Sequence, residues 1–132
     1  MKRYMLDTNT VSHLLREHPS VVGRIIDVPM ASLCISAITE GELLFGLAKR
    51  PSAKQLHVAV QAFFIRVDTL PWDSTAAEHY GVVRADMARV GKVLAPLDLL
   101  IATHALSVGA TLVTNDQAFS QMADLHIEDW TV

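Results

Sequence analysis

The chain has 132 residues, of which 51% are hydrophobic and 19% charged, with a net charge of −3. That suffices for one domain with its own core and excludes a disordered chain or solvated linker. The acidic balance offers nucleic acid no overall attraction, so RNA or DNA would have to be held by local basic patches or bound cations.

From the N-terminus, RYMLD reads as a short buried strand. Its closing Asp7 interrupts the apolar stretch that a signal peptide would need after Met1-Lys2-Arg3. The spacing of Val11, Leu14 and Leu15 predicts a helix from Thr8 to about Arg16, with Thr8, Asn9 and Thr10 as competing N-caps. SVVGRIIDV, after Pro19, reads as a second amphipathic helix capped by Ser20. LCISAI is the next strand, where the lone Cys34 reads as a buried core thiol in a reducing cytoplasm. Thr39 and Glu42 match a T-x-x-E capping box opening a helix that ends near Lys49-Arg50-Pro51.

Ser52 to about Ile65 reads as a further helix and RVDTLPW as a strand entering a turn. Asp73 or Ser74 caps STAAEHYGVVRADMARVG, for which Gly91 is a natural stop. Pro96 and Asp98 open LDLLIATHALSVG, closed by Gly109. TLVTND reads as a strand, QAFSQMA as a short helix and HIEDWTV as a terminal strand. No apolar run approaches the ~18–20 residues that span a bilayer. Strands alternating with helices of this length imply an α/β sandwich with a mainly parallel sheet, which gathers its chemistry at the carboxyl ends of the strands.

Four acids fall where that edge would collect them: Asp7 after the first strand, Glu42 and Asp98 in first helical turns, and Asp116 after TLVT. Singly, each has a structural explanation as a cap, a turn former or a partner of the helix dipole, the last worth ~0.3–1 kcal/mol. Together they do not, because Asp7 and Asp98 lie in apolar surroundings where an unpaired charge is costly. Two unit charges ~5 Å apart repel by ~3 kcal/mol at an effective dielectric of about 20. A divalent cation would relieve that repulsion. No two of His13, His18, His57, His79, His104 and His126 have zinc-ligand spacing, and oxygen donors alone select Mg²⁺ or Mn²⁺, ions that serve phosphate chemistry.

MLDTN, SAITEGEL, PLDLLIATHAL and LVTND-x-x-F, in this order, resemble a PIN domain, and within that superfamily the VapC ribonuclease toxins of type II toxin–antitoxin pairs. The likeness spans nearly the whole chain, 1–132, and includes LPWDSTAAEHYGVVRADM and HIEDW. It implies a single three-layer α/β/α PIN domain and a Mg²⁺- or Mn²⁺-dependent endoribonuclease that cuts structured RNA, such as a tRNA anticodon loop, by attack of a metal-activated water. Asp7 and Asp98 match the direct metal ligands. Glu42, from S-x-x-T-x-x-E-L, and Asp116 would ligate directly or through water. Thr114 and Asn115 fit supporting or phosphate-contacting positions, and Asn9 and Ser36 are weaker matches to that role.

The resemblance also implies a VapB-type antitoxin as partner, a toxin dimer or larger assembly, and operator DNA reached only through the antitoxin. Apolar residues of the first helices would line the antitoxin groove. Lys49, Arg50 and Lys54, or Arg84, Arg89 and Lys92, are candidates for RNA phosphates. Glu40, two residues before Glu42, should face solvent. Among rivals, a dehalogenase-type phosphatase needs an Asp where Asn9 stands, and a receiver domain needs adjacent acids and a late Lys. A catalytically silent PIN-like RNA- or protein-binding module is the non-enzymatic alternative.

Overall fold

The computed structural model describes residues 2–132, and Met1 lies outside them. Strand β1 (Tyr4–Leu6) is short, and its consecutive Met5 and Leu6 are both fully buried. Successive side chains of a strand point to opposite faces, so this sheet is covered on both sides. Met5 joins Cys34 of β2 (Leu33–Ser36) and Leu112 of β4 (Thr111–Val113) in one core, beneath α5 (Ser74–Arg89) and α6 (Pro96–Ser107). Leu6 joins Leu33, Ile35 and Val113 in the other, against α1 (Thr8–Leu15), α2 (Pro19–Asp27), α3 (Ala37–Ala48) and α4 (Lys54–Arg66). The three-layer α/β/α sandwich expected from the sequence is the result.

With β3 (Asp68–Leu70) and β5 (Ile127–Glu128), the strands lie in the order β3-β2-β1-β4-β5. Every pairing is parallel. The chain steps outward from β1 through β2 to β3, then returns to the far side of β1 for β4 and β5. The order reverses between β1 and β4, and open parallel sheets bind ligands outside the carboxyl ends at such a reversal. Leu6 pairs with Val113 there, and the Asp7 amide donates to the Val113 carbonyl at 3.1 Å.

Several boundaries differ from the sequence reading. Asp7 itself caps α1, its carboxylate accepting from the Thr10 amide at 2.8 Å, in place of Thr8, Asn9 or Thr10. His18, not Ser20, caps α2. Ser36 caps α3, its hydroxyl accepting from the Ile38 amide at 3.1 Å, so Thr39 is a buried interior residue and the T-x-x-E capping box does not form. In consequence Glu42 lies in the second helical turn rather than the first. Helix α4 begins at Lys54, QAFSQMA forms a 3-10 turn over Gln117–Gln121, and the last strand keeps only two residues. An unanticipated 3-10 turn, Met30–Ser32, leads into β2.

The expected stops hold. Gly91 and Gly109 adopt φ of +71° and +66°. Beyond each glycine a backward bond closes the helix end, Lys92 N–H to Met87 O and Ala110 N–H to Ala105 O, both at 2.9 Å. Among the described residues no helix is long and apolar enough to cross a membrane.

Candidate active site

Asp7 is buried where β1 passes straight into α1. Burial pushes its carboxyl above the usual aspartate range. Hydrogen bonds from Thr114 and Thr10 pull it back down, while the charge of Asp116 pushes it up. The buried Thr10 also donates its hydroxyl to the Val113 carbonyl at 2.9 Å, tying the start of α1 to β4.

Across the reversal, Thr114 and Asp116 leave β4. The buried Thr114 hydroxyl accepts from the Asp116 amide at 3.0 Å. Asp116 caps the Gln117–Gln121 turn by accepting from the Ala118 amide at 2.9 Å.

Asp98 comes from the third layer, in the first turn of α6 behind Pro96. A helix N-terminus favours an ionised carboxylate, yet the Asp98 carboxyl is raised. Burial is the largest cause, followed by the charges of Asp116, Asp7 and Glu42. Asp98 therefore lies in the field of the other three acids, and Asp7 in that of Asp116. Glu42 reaches that field from α3, and its Oε1 accepts from the Thr8 hydroxyl at 2.5 Å. A cleft of about 550 Å³ opens beside it, walled by Thr8, Phe45 and Leu97.

The remaining candidates are placed unevenly. Asn115 is exposed, with its amide 3.5 Å from the His13 ring, and Asn9 is exposed on α1. Ser36 is fully buried, which corrects its reading as a phosphate contact. Its hydroxyl lies 2.8 Å from Nδ1 of the buried His104. Burial holds His104 below the usual histidine range, so the ring is a neutral core group. Thr8 and Thr10 were visible in the sequence only as possible caps; nothing local in DTNT shows that one holds Glu42 and the other β4.

The ion pairs among the described residues fall elsewhere, at Lys2–Glu128, Arg3–Asp68 and Arg89–Asp86, so none of these four acids is in one. Nor do three His, Cys, Asp or Glu side chains among them form a ready-made metal cage. The donor set is oxygen only, with the buried Asp7 and the half-buried Asp98 in mutual repulsion. That suits Mg²⁺, which keeps several waters and takes one or two carboxylates.

A parallel sheet with acids at its reversal point defines a class, and residues 4–125 match the family model for the PIN domain. The tRNA(fMet)-specific endonuclease VapC of Shigella flexneri is 35% identical over 132 residues, spanning 99% of this chain and 100% of that protein. Its namesake from Salmonella typhimurium is 36% identical over 131 residues, 98% and 99% of the two chains. Among solved structures, DNA-bound VapBC from Salmonella typhimurium superposes with a TM-score of 0.90 at 36% identity, covering 98% of this chain and 99% of that one. VapBC2 from Rickettsia felis, bound to a promoter DNA fragment, gives 0.87 at 30% identity and 96% and 98% coverage. The chain belongs to the VapC family of PIN-domain proteins.

Proposed function

We propose that this chain is the toxin of a type II toxin–antitoxin pair, an endoribonuclease that hydrolyses a phosphodiester in structured RNA with Mg²⁺, or Mn²⁺, at the carboxyl edge of its sheet. The observation that carries this reading is the gathering of Asp7, Asp98, Asp116 and Glu42 around one edge of the sheet, none of them in an ion pair among the described residues. Their repulsion costs stability, and phosphate chemistry at a hard cation accounts for its retention. The relatives named tRNA(fMet)-specific endonuclease support a tRNA as substrate. The VapBC complexes support a VapB-type antitoxin as partner, through which operator DNA is reached.

Asp7 and Asp98 would hold the cation, with the Thr10 amide fixing the Asp7 carboxylate. When bound, the ion lowers the pKa of a water and neutralises charge on the phosphoryl oxygens. Glu42 or Asp116 accepts the proton of the attacking water. The new P–O bond forms as the ribose oxygen on the opposite side departs and is protonated from solvent. Thr8 orients Glu42 for this task.

The test is cleavage of purified initiator tRNA by antitoxin-free protein, with Mg²⁺ and with EDTA. Cleavage that EDTA stops and Asp98→Asn abolishes is expected. A folded, antitoxin-free protein that cuts no RNA with either Mg²⁺ or Mn²⁺ would instead favour the silent binding module.

A further inference from the structure

The structure separates the basic residues that the sequence groups together. Arg89 pairs with Asp86, one helical turn away. Arg84 and Lys92 instead line a cleft of about 330 Å³ between α5 and the start of α6. Pro96 and Leu99, which bracket Asp98, form part of its wall, whereas Leu97 faces the cleft that contains Glu42. The turn that carries Asp98 thus divides two clefts.

Tyr80 supplies an aromatic platform in the first of them. Arg84 Nη1 donates to the Tyr80 hydroxyl at 2.7 Å, and the guanidinium lies 5.7 Å from the ring centroid. Trp72 braces the same ring edge-on at 5.9 Å and donates its own Nε1 to the Leu100 carbonyl at 2.9 Å. The platform is therefore tied to α6 two residues beyond Asp98. The left-handed Gly91 turn sets Lys92 at the rim, where Nζ donates to the Gln121 carbonyl at 3.1 Å and keeps two further donors.

A ring, a guanidinium beside it and a second cation suit a flat ligand that carries negative charge. Unpaired nucleotides are recognised in this way, by stacking on aromatic and guanidinium planes with the phosphate held by Lys or Arg. An apolar peptide would leave both cations without a partner. We propose that this cleft is a nucleotide subsite of the RNA path, in which one unpaired base stacks on Tyr80 and Arg84 while Lys92 holds its phosphate. The inference rests on the ribonuclease reading and places substrate on the side of Asp98 away from Glu42.

The test separates binding from cleavage, using full-length antitoxin-free protein and the anticodon stem-loop of initiator tRNA as probe. Binding is measured in an Asp98→Asn background, which leaves the RNA intact. Tyr80→Leu, which keeps bulk but loses the ring, should weaken binding about five- to hundredfold, while Tyr80→Phe keeps it. Arg84→Gln and Lys92→Gln should each weaken binding and lower its salt dependence by about 0.7 to 1 in slope. Removing one base of the loop should cost affinity in the parent and nothing further in Tyr80→Leu. Unchanged RNA binding in folded variants, with cleavage by the parent intact, overturns the subsite alone. A parent that neither binds nor cuts RNA overturns both readings. Variants that lose antitoxin binding but keep RNA binding assign the cleft to the protein partner and overturn the proposal.

Discussion

Glu128 on β5 and Asp98 on α6 both belong to the layers around one sheet, and their surroundings act on them in opposite directions. Glu128 accepts from Lys2 Nζ at 2.8 Å and from Trp130 Nε1 at 3.0 Å. The bond from Lys2 is the larger cause of a carboxyl held below the usual glutamate range. Asp98 is raised by burial and by three other acids. One flank of the molecule uses an acid to fasten its N-terminus to an edge strand. The other keeps acids together against their own repulsion, an arrangement that suits a bound cation.

The largest effect should come from breaking the second region. Asp7→Asn or Asp98→Asn is expected to cut RNA cleavage by about a hundredfold or more, measured as initial rates on tRNA. Circular dichroism should show the fold unchanged, because asparagine at position 7 can still cap α1.

Next comes the cation. Mg²⁺ at about a hundred times its dissociation constant should stabilise the protein by ~2.7 kcal/mol in thermal melts, and the double variant of Asp7 and Asp98 should lose that gain. Ser36→Ala removes the α3 cap and strands His104 Nδ1 in the core. It should cost ~1–3 kcal/mol in urea unfolding, whether or not the metal is present.

The pH dependence sharpens the contrast. Asp7 and Asp98 hold their protons more tightly folded than unfolded, so between the ordinary value of 3.8 and their raised values the native state binds more protons. Their contribution to metal-free stability therefore falls as pH rises through that window, and Asp7→Asn should remove part of the fall. Glu128 has the reverse sign: its contribution is present above the unfolded value of 4.5 and is lost as pH falls through its depressed value. The smallest effect is expected for Asp124→Asn, exposed and outside the acid cluster, which should leave cleavage and melting unchanged.

Alternation of short apolar runs with helical spacing made the layers and the parallel sheet legible, and parallel topology then placed Asp7, Asp98 and Asp116 at one edge. The joints were not legible. At β1–α1 and β2–α3 the strand enters the helix without a loop, so the polar residue at the joint, Asp7 just after β1 or Ser36 at the end of β2, becomes the cap. Ala37 and Ile38 suit strand and helix equally, which moved the expected start of α3 to Thr39. The polar supports were hidden for a different reason. Thr8 to Glu42 and Thr10 to Val113 are bonds between residues far apart in the chain, and no local pattern encodes them.

Carboxyl-carbon NMR titration of Asp7 and Asp98, with and without Mg²⁺, tests the shared field most directly. Both groups should titrate above ordinary aspartate in metal-free protein and drop when Mg²⁺ is added. Ordinary values that Mg²⁺ does not move would contradict the account.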